Sequence, residues 1–242
     1  HAGIGISSEM AQVYGKRKGI PFYALMNTIS REKIVQIPTI RETSVFVYAG
    51  GLHLGRYRSL LEIEKALISY NALYDKKAEL RIYMSKKDRD QYGGLFDAGI
   101  TTFYDYLPHD RVYEAYEMAD ILVHIESFDL DFTQYTRYSI STKISEYMSS
   151  GHPILCFAPR ELTVGRYIKQ VGAGFFSDET QKLNYGIDLL CGNKGNIRNE
   201  MALAGIEEVR RNHCDMYGRS VLEKVFLNNI EESSDRYTKK SK

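Results

Sequence analysis

The chain has almost no surplus of charge: 32 lysines and arginines stand against 31 aspartates and glutamates, a net charge of +1. That balance leaves no global field to attract nucleic acid. Cysteine is scarce. Cys156, Cys191 and Cys214 are scattered, with no short-spaced pair of the kind that holds zinc, and Cys156 falls within an apolar strand pattern. The set fits a reducing, cytoplasmic setting. No apolar run approaches the length that spans a bilayer, and no secretory signal opens the sequence. An initiator methionine is missing too. A start at His1-Ala2-Gly3 gives the expectation that an N-terminal part precedes this chain.

What is present suffices for a real core. With 242 residues, 43% of them hydrophobic, the chain can form one large domain, or one domain plus part of another. Residues 7–18, with Met10, Val13 and Tyr14 at helical spacing, read as a helix, and a short extended piece follows to about residue 27. Residues 30–44 carry mixed charge and Pro38 without periodicity, as a linker does.

Regular alternation then begins. Val45-Phe46-Val47-Tyr48-Ala49 is an apolar strand, Gly50-Gly51 a turn, and residues 59–74 an amphipathic helix striped by Leu60, Ile63, Leu67 and Tyr70. Further strands are expected at 80–84, 100–104, 121–125, 153–157 and 174–176. Helices at 87–95, 110–118, 141–150 and 161–171 separate them, with a long polar, aromatic loop over 126–140. After the last strand the chain is mainly helix. This alternation predicts an α/β fold: a Rossmann-like, doubly wound parallel sheet with helices on both faces. Ligands of such sheets bind beyond the carboxyl ends of the strands, where the Gly50-Gly51 turn and the helix start at 141 both fall.

Around that helix start the residues suggest chemistry. Ser141 or Thr142 can accept a hydrogen bond from a first-turn amide, and Glu146 lies one turn on, on the side of Thr142. Gly151 supplies a left-handed stop and Pro153 prevents resumption. Free amides and the charge of Lys143 suit a phosphate, and the carboxylate of Glu146 suits a hydroxyl donor. Beyond the first strand, Gly50 and Gly51 permit close backbone approach, and Arg56 and Arg58 can grip a diphosphate. His53, His109, His124 and His152 are too separated to propose a metal site.

Three stretches together resemble a known family. They are Phe46-Val47-Tyr48-Ala49-Gly50-Gly51 with Arg56, Ala119-Asp120-Ile121-Leu122-Val123, and Ser141-Thr142-Lys143-Ile144-Ser145-Glu146-Tyr147-Met148-Ser149-Ser150-Gly151-His152-Pro153-Ile154. In order and spacing they resemble the C-terminal, donor-binding domain of GT-B-fold glycosyltransferases, in particular the retaining family-four group. The resemblance implies a remnant of an N-terminal domain over 1–30, an interdomain linker over 31–43 and a nucleotide-sugar-binding domain over 44–230. A charged tail, expected to fray, follows over 231–242.

It also implies roles. Glu146 stands where the family places the second of two paired glutamates, the one that holds the ribose hydroxyls. Arg56 stands where a basic residue contacts the diphosphate, with Gly51 in the turn before it. Ser141, Thr142 and Lys143 form the helix start that cradles the same group, and Tyr106 and Leu107 fall in the loop that packs against the base. Arg56 and Lys143 would be catalytic, stabilising the leaving nucleoside diphosphate, and no metal or other cofactor is expected.

The pattern departs from the family at one point: the first glutamate's position, eight before Glu146, is Tyr138. Either that role is absent, or Glu126 takes it. The implied function is half of a retaining glycosyltransferase of polysaccharide or glycoconjugate synthesis, with a nucleotide-sugar donor and a sugar, lipid or protein acceptor. The full-length enzyme is expected in the cytoplasm or peripheral to the membrane. The alternatives are a sugar-nucleotide epimerase of the same fold and a non-catalytic nucleotide-binding or interaction module.

Overall fold

The computed structural model describes residues 1–34, 44–75, 77–192 and 195–239. The expected linker falls largely on 35–43, outside the described residues; at its start, Arg31–Lys33 form a 3-10 turn.

Two units follow one another. In the first, β1 (Gly3–Gly5) pairs in parallel with β2 (Phe22–Ala24), and α1 (Ser8–Lys18) makes the crossover. Ser7 caps α1, its Oγ accepting from the amide of Met10 at 2.9 Å, and Gly19 ends it at φ +66°. The strand β1 was not anticipated, being only three residues long and rich in glycine.

The second unit is one six-stranded sheet. Its strands are β3 (Ser44–Ala49), β4 (Ala78–Met84), β5 (Thr101–Asp105), β6 (Ile121–Ile125), β7 (Ile154–Phe157) and β8 (Gly174–Ser177), in spatial order β5-β4-β3-β6-β7-β8. Every neighbouring pair is parallel. The chain builds outward from β3 to β5, then returns to place β6 on the other side of β3. The order therefore reverses between β3 and β6, where doubly wound sheets open a crevice.

Side chains alternate across the sheet and divide the core in two. Val45, Val47 and Ala49 face one layer, with α6 (Lys143–Ser149) contributing Ile144 and Tyr147 and α7 (Thr163–Val171) contributing Val164 and Ile168. Phe46 and Tyr48 face the other, with Leu60, Ile63 and Leu67 of α2 (Arg56–Tyr74) and Leu183, Ile187 and Leu190 of α8 (Thr180–Cys191). Because both faces are covered, all six residues of β3 are buried. The remaining helices are α3 (Lys86–Tyr92), α4 (Tyr113–Glu117), α5 (Leu130–Thr136), α9 (Gly195–Asn212) and α10 (Asp215–Lys239).

One expectation is corrected. The stretch 126–140 is not all loop, since α5 occupies its middle, started by Asp129, whose side chain accepts from the amide of Asp131 at 3.0 Å. Two turns around a single buried residue, Thr133, are too short for a periodic signal. At the other end, α10 stays helical through Lys239, across most of the stretch read as a tail. Among the described residues, no helix is long and apolar enough to cross a membrane.

The first unit docks on the second. Ser7 Oγ donates to the carbonyl of Tyr138 at 2.7 Å, Glu9 takes a hydrogen bond from Thr163 Oγ1 at 2.7 Å and an ion pair from Arg166 at 2.5 Å, and the amide of Ile29 donates to the carbonyl of His213 at 2.7 Å.

Candidate functional site

At the reversal between β3 and β6, the end of β3 meets the start of α6. A side chain at Gly50 would run into Lys143 Nζ and the Tyr48 hydroxyl, so glycine here makes room for a cation. Tyr48, buried, donates to the carbonyl of Gly51 at 2.8 Å, which fixes the turn. Lys143 is half-buried, its Nζ 5.8 Å from the centre of the Tyr48 ring. Burial pushes its pKa down and Arg56 adds to that, while Glu146 and Glu126 pull it back; the net shift is downward.

Helix α6 forms as its residues dictate. Ser141 Oγ accepts from the amide of Lys143 at 3.4 Å, whereas Thr142, the other candidate, makes no capping bond and stays exposed. Gly151 takes φ +75°, the left-handed stop that the sequence predicts. Glu146 is not a solvated helix residue: it is 5% exposed. Its Oε2 accepts from the hydroxyl of Tyr116 at 2.9 Å, and its Oε1 lies 3.4 Å from Nδ1 of the exposed His109.

Gly50, Tyr106, Leu107, Thr142, Lys143 and Glu146 line a single cleft of about 120 Å³. Tyr106 is 63% exposed and Leu107 half-buried, so that wall presents an aromatic ring and an aliphatic edge. Gly51 and Ser141 are not among its lining residues.

Arg56, the first residue of α2, sits beside this cleft. Its Nε and one terminal nitrogen bond the same oxygen of Glu126, Oε2, at 3.2 and 2.9 Å. Arg58 does not join it. That side chain is exposed, donates to the Tyr57 hydroxyl at 3.0 Å, and lines a separate cleft of about 470 Å³ with Glu62, Phe128 and Asp129. The Glu126–Arg56 pair and the hold of Tyr116 on Glu146 carried no sequence signal, since the partners are 70 and 30 positions apart. Among the described residues, no group of three or more histidines, cysteines or carboxylates is placed to hold a metal ion.

Chemically, the arrangement offers two cations, Arg56 paired with a carboxylate and Lys143 beside the glycine turn, and a buried carboxylate on a cleft with an aromatic wall, one of its oxygens flanked by the exposed His109. Cations and glycine turn suit an anion; the carboxylate suits hydroxyl donors.

Solved structures share this architecture. WaaG, a glycosyltransferase involved in lipopolysaccharide biosynthesis, matches with a TM-score of 0.62 and 16% identity over 91% of this chain and 60% of its own. S. aureus TarM, solved as a point mutant with fondaparinux, α-GlcNAc-glycerol and UDP, matches with a TM-score of 0.65 and 13% identity over 93% of this chain and 43% of its own. The α,α-trehalose 6-phosphate synthase of Burkholderia multivorans matches with a TM-score of 0.65 and 10% identity over all of this chain and 60% of its own. The chain therefore spans between 43 and 60% of the length of these structures. The fold is that of GT-B glycosyltransferase structures. No protein-family model matches the chain, and neither does any curated protein.

Proposed function

We propose that this chain is the nucleotide-sugar-binding half of a bilobal glycosyltransferase, one that moves a sugar with retention from a nucleoside diphosphate to a sugar, lipid or protein acceptor. The observation that carries this reading is the cleft at the sheet's reversal, where Lys143 and Glu146 of α6 face Gly50 at the end of β3. UDP in the TarM complex supports it from the side of the fold neighbours.

In this reading the ribose hydroxyls donate to Glu146 Oε1, the oxygen that Tyr116 does not hold, displacing the exposed His109 that stands beside it. The base packs against Tyr106 and Leu107. The diphosphate lies along Gly50 and Gly51, within reach of Lys143 and Arg56. When the bond between the sugar C1 and the phosphate oxygen breaks, negative charge grows on the leaving nucleoside diphosphate. Lys143 and Arg56 meet it with positive charge that is already in place, and such preorganised stabilisation lowers the barrier because nothing needs to reorient. These chain residues carry the leaving-group step without a metal, and the acceptor is bound mainly by the other lobe.

Calorimetric titration with uridine and guanosine diphosphates, without added metal, tests this on the wild-type chain and on Glu146→Ala. The expected result is binding of one nucleotide, weakened in the variant. Binding that is indifferent to Glu146→Ala would remove the donor-site assignment.

A further inference from the structure

Glu126 stands out among the buried carboxylates near the cleft because an arginine gives two hydrogen bonds to one of its oxygens. It follows β6 directly and is 6% exposed. Its backbone is pinned on two sides: its amide donates to the carbonyl of Phe157 at 3.1 Å, and its carbonyl accepts from Ser59 Oγ at 2.7 Å. Oε2 carries Arg56, and Oε1 lies 3.5 Å from Nε2 of His124, a buried nitrogen without a hydrogen-bond partner. Burial pushes the Glu126 carboxyl up, but His124 and Arg56 together hold it below its ordinary range, so it stays ionised at neutral pH.

Arg56 is the opposite kind of residue. It opens a helix after the left-handed Gly55, has a long and flexible side chain, and is 21% exposed. Left alone it would sample many rotamers, and a ligand would have to order it at a cost in affinity.

We infer that Glu126 is a positioning residue: through Nε and one terminal nitrogen it holds the Arg56 guanidinium so that the remaining donors face the diphosphate, rather than replacing the absent first glutamate at the sugar. This rests on the donor-site reading above. Glu126 is not among the residues that line the cleft, its Oε2 already takes two bonds from Arg56, and removing it would disorder Arg56 without touching the ligand.

The test is a double-mutant cycle of Glu126→Gln and Arg56→Ala, read by calorimetry with uridine and guanosine diphosphates, together with the NMR signal of the Arg56 Nε proton in the free chain. Glu126→Gln is expected to weaken binding about tenfold, the cost of ordering one rotamer-rich side chain. That loss should vanish in the Arg56→Ala background, and the Nε proton should lose its protection from exchange without any ligand. Should Glu126→Gln fail to fold, Glu126→Asp, which keeps the charge but shortens the reach, takes its place with the same expectation. Unchanged affinity, or a loss that persists without Arg56, overturns the inference while the donor site stands. If the wild-type chain binds neither nucleotide, the donor-site reading falls, and the positioning role falls with it.

Discussion

Two glutamates in this protein are equally buried and differently placed. Glu64, 4% exposed, points from α2 toward the start of β5, at the amino-terminal edge of the sheet. Its Oε1 receives the amide of Asp97 at 2.9 Å and the hydroxyl of Thr101. Glu146, 5% exposed, sits at the carboxyl edge with one oxygen held by Tyr116 and the other 3.4 Å from the exposed His109, on a cleft that also contains Lys143. Burial alone therefore does not mark a site. What separates the two is the company each keeps: Glu64 meets a backbone amide and a hydroxyl, whereas Glu146 lines a cleft together with Lys143. The doubly wound topology decides that, because the crevice of such a sheet opens at its carboxyl edge.

The comparison breaks most sharply under alanine. On the proposed donor-site reading, Glu146→Ala removes hydrogen bonds from the ribose, each worth about 1.5–3 kcal/mol to a charged acceptor, so nucleoside diphosphate affinity should fall about a hundredfold by calorimetry. Glu64→Ala should leave affinity unchanged and instead cost about 1–3 kcal/mol of stability in urea, because buried donors lose their acceptor. An affinity loss in both variants would mean that the two edges do not differ in the way argued.

Gly50→Ala tests the cation side. The added methyl meets the far end of a flexible lysine and also crowds the hydroxyl of the buried Tyr48 at 3.0 Å, so a modest loss of stability should accompany it. Displacing Nζ from the turn should also weaken nucleotide binding about tenfold, the scale of one charge-assisted hydrogen bond. Unaltered binding would take Lys143 out of the site. A smaller effect is expected from Tyr116→Phe, which frees Glu146 Oε2: stability should drop by about 1 kcal/mol in denaturant titrations, with a weaker loss of affinity than in Glu146→Ala.

The smallest effects concern pH, and their signs oppose. Burial raises the carboxyl of Glu64 above its reference value of 4.5, only partly offset by Thr101 and Asp97. The stability it contributes is complete below 4.5 and is lost as pH rises through the folded-state value. Glu126 lies below 4.5, held there by His124 and Arg56 against its burial; its contribution is present above 4.5 and lost as pH falls through the folded-state value. Relative to wild type, Glu64→Gln should thus gain stability as pH rises and Glu126→Gln as pH falls. Urea midpoints between about pH 3 and 7 read both slopes, and slopes of the same sign would refute the assignment.

Much of this was legible in one dimension. The apolar strands at 45–49 and 121–125 and the glycine stop at 151 are local signals, and the structure reproduces them as β3, β6 and a residue at φ +75°. Lys143 and Glu146 lie within one turn of each other, so their sharing of a cleft followed from helical geometry. The short helix α5 was not legible, since two turns with one buried residue leave no period to detect. Nor was the separation of Arg58 from Arg56: only two positions apart on α2, one lines the cleft of about 470 Å³ and the other pairs with Glu126.

By itself, then, the sequence determined the alternation of strand and helix, the reversal-prone α/β class and the pairing of a lysine with a carboxylate at one helix start. These depend on contacts within a few residues, where spacing fixes geometry. Only the tertiary structure decided that Tyr116 holds one oxygen of Glu146 while the exposed His109 stands by the other, and that Glu126 holds Arg56. Those pairs join elements brought together by the sheet, and a side chain's remaining hydrogen-bonding capacity is set by every neighbour at once.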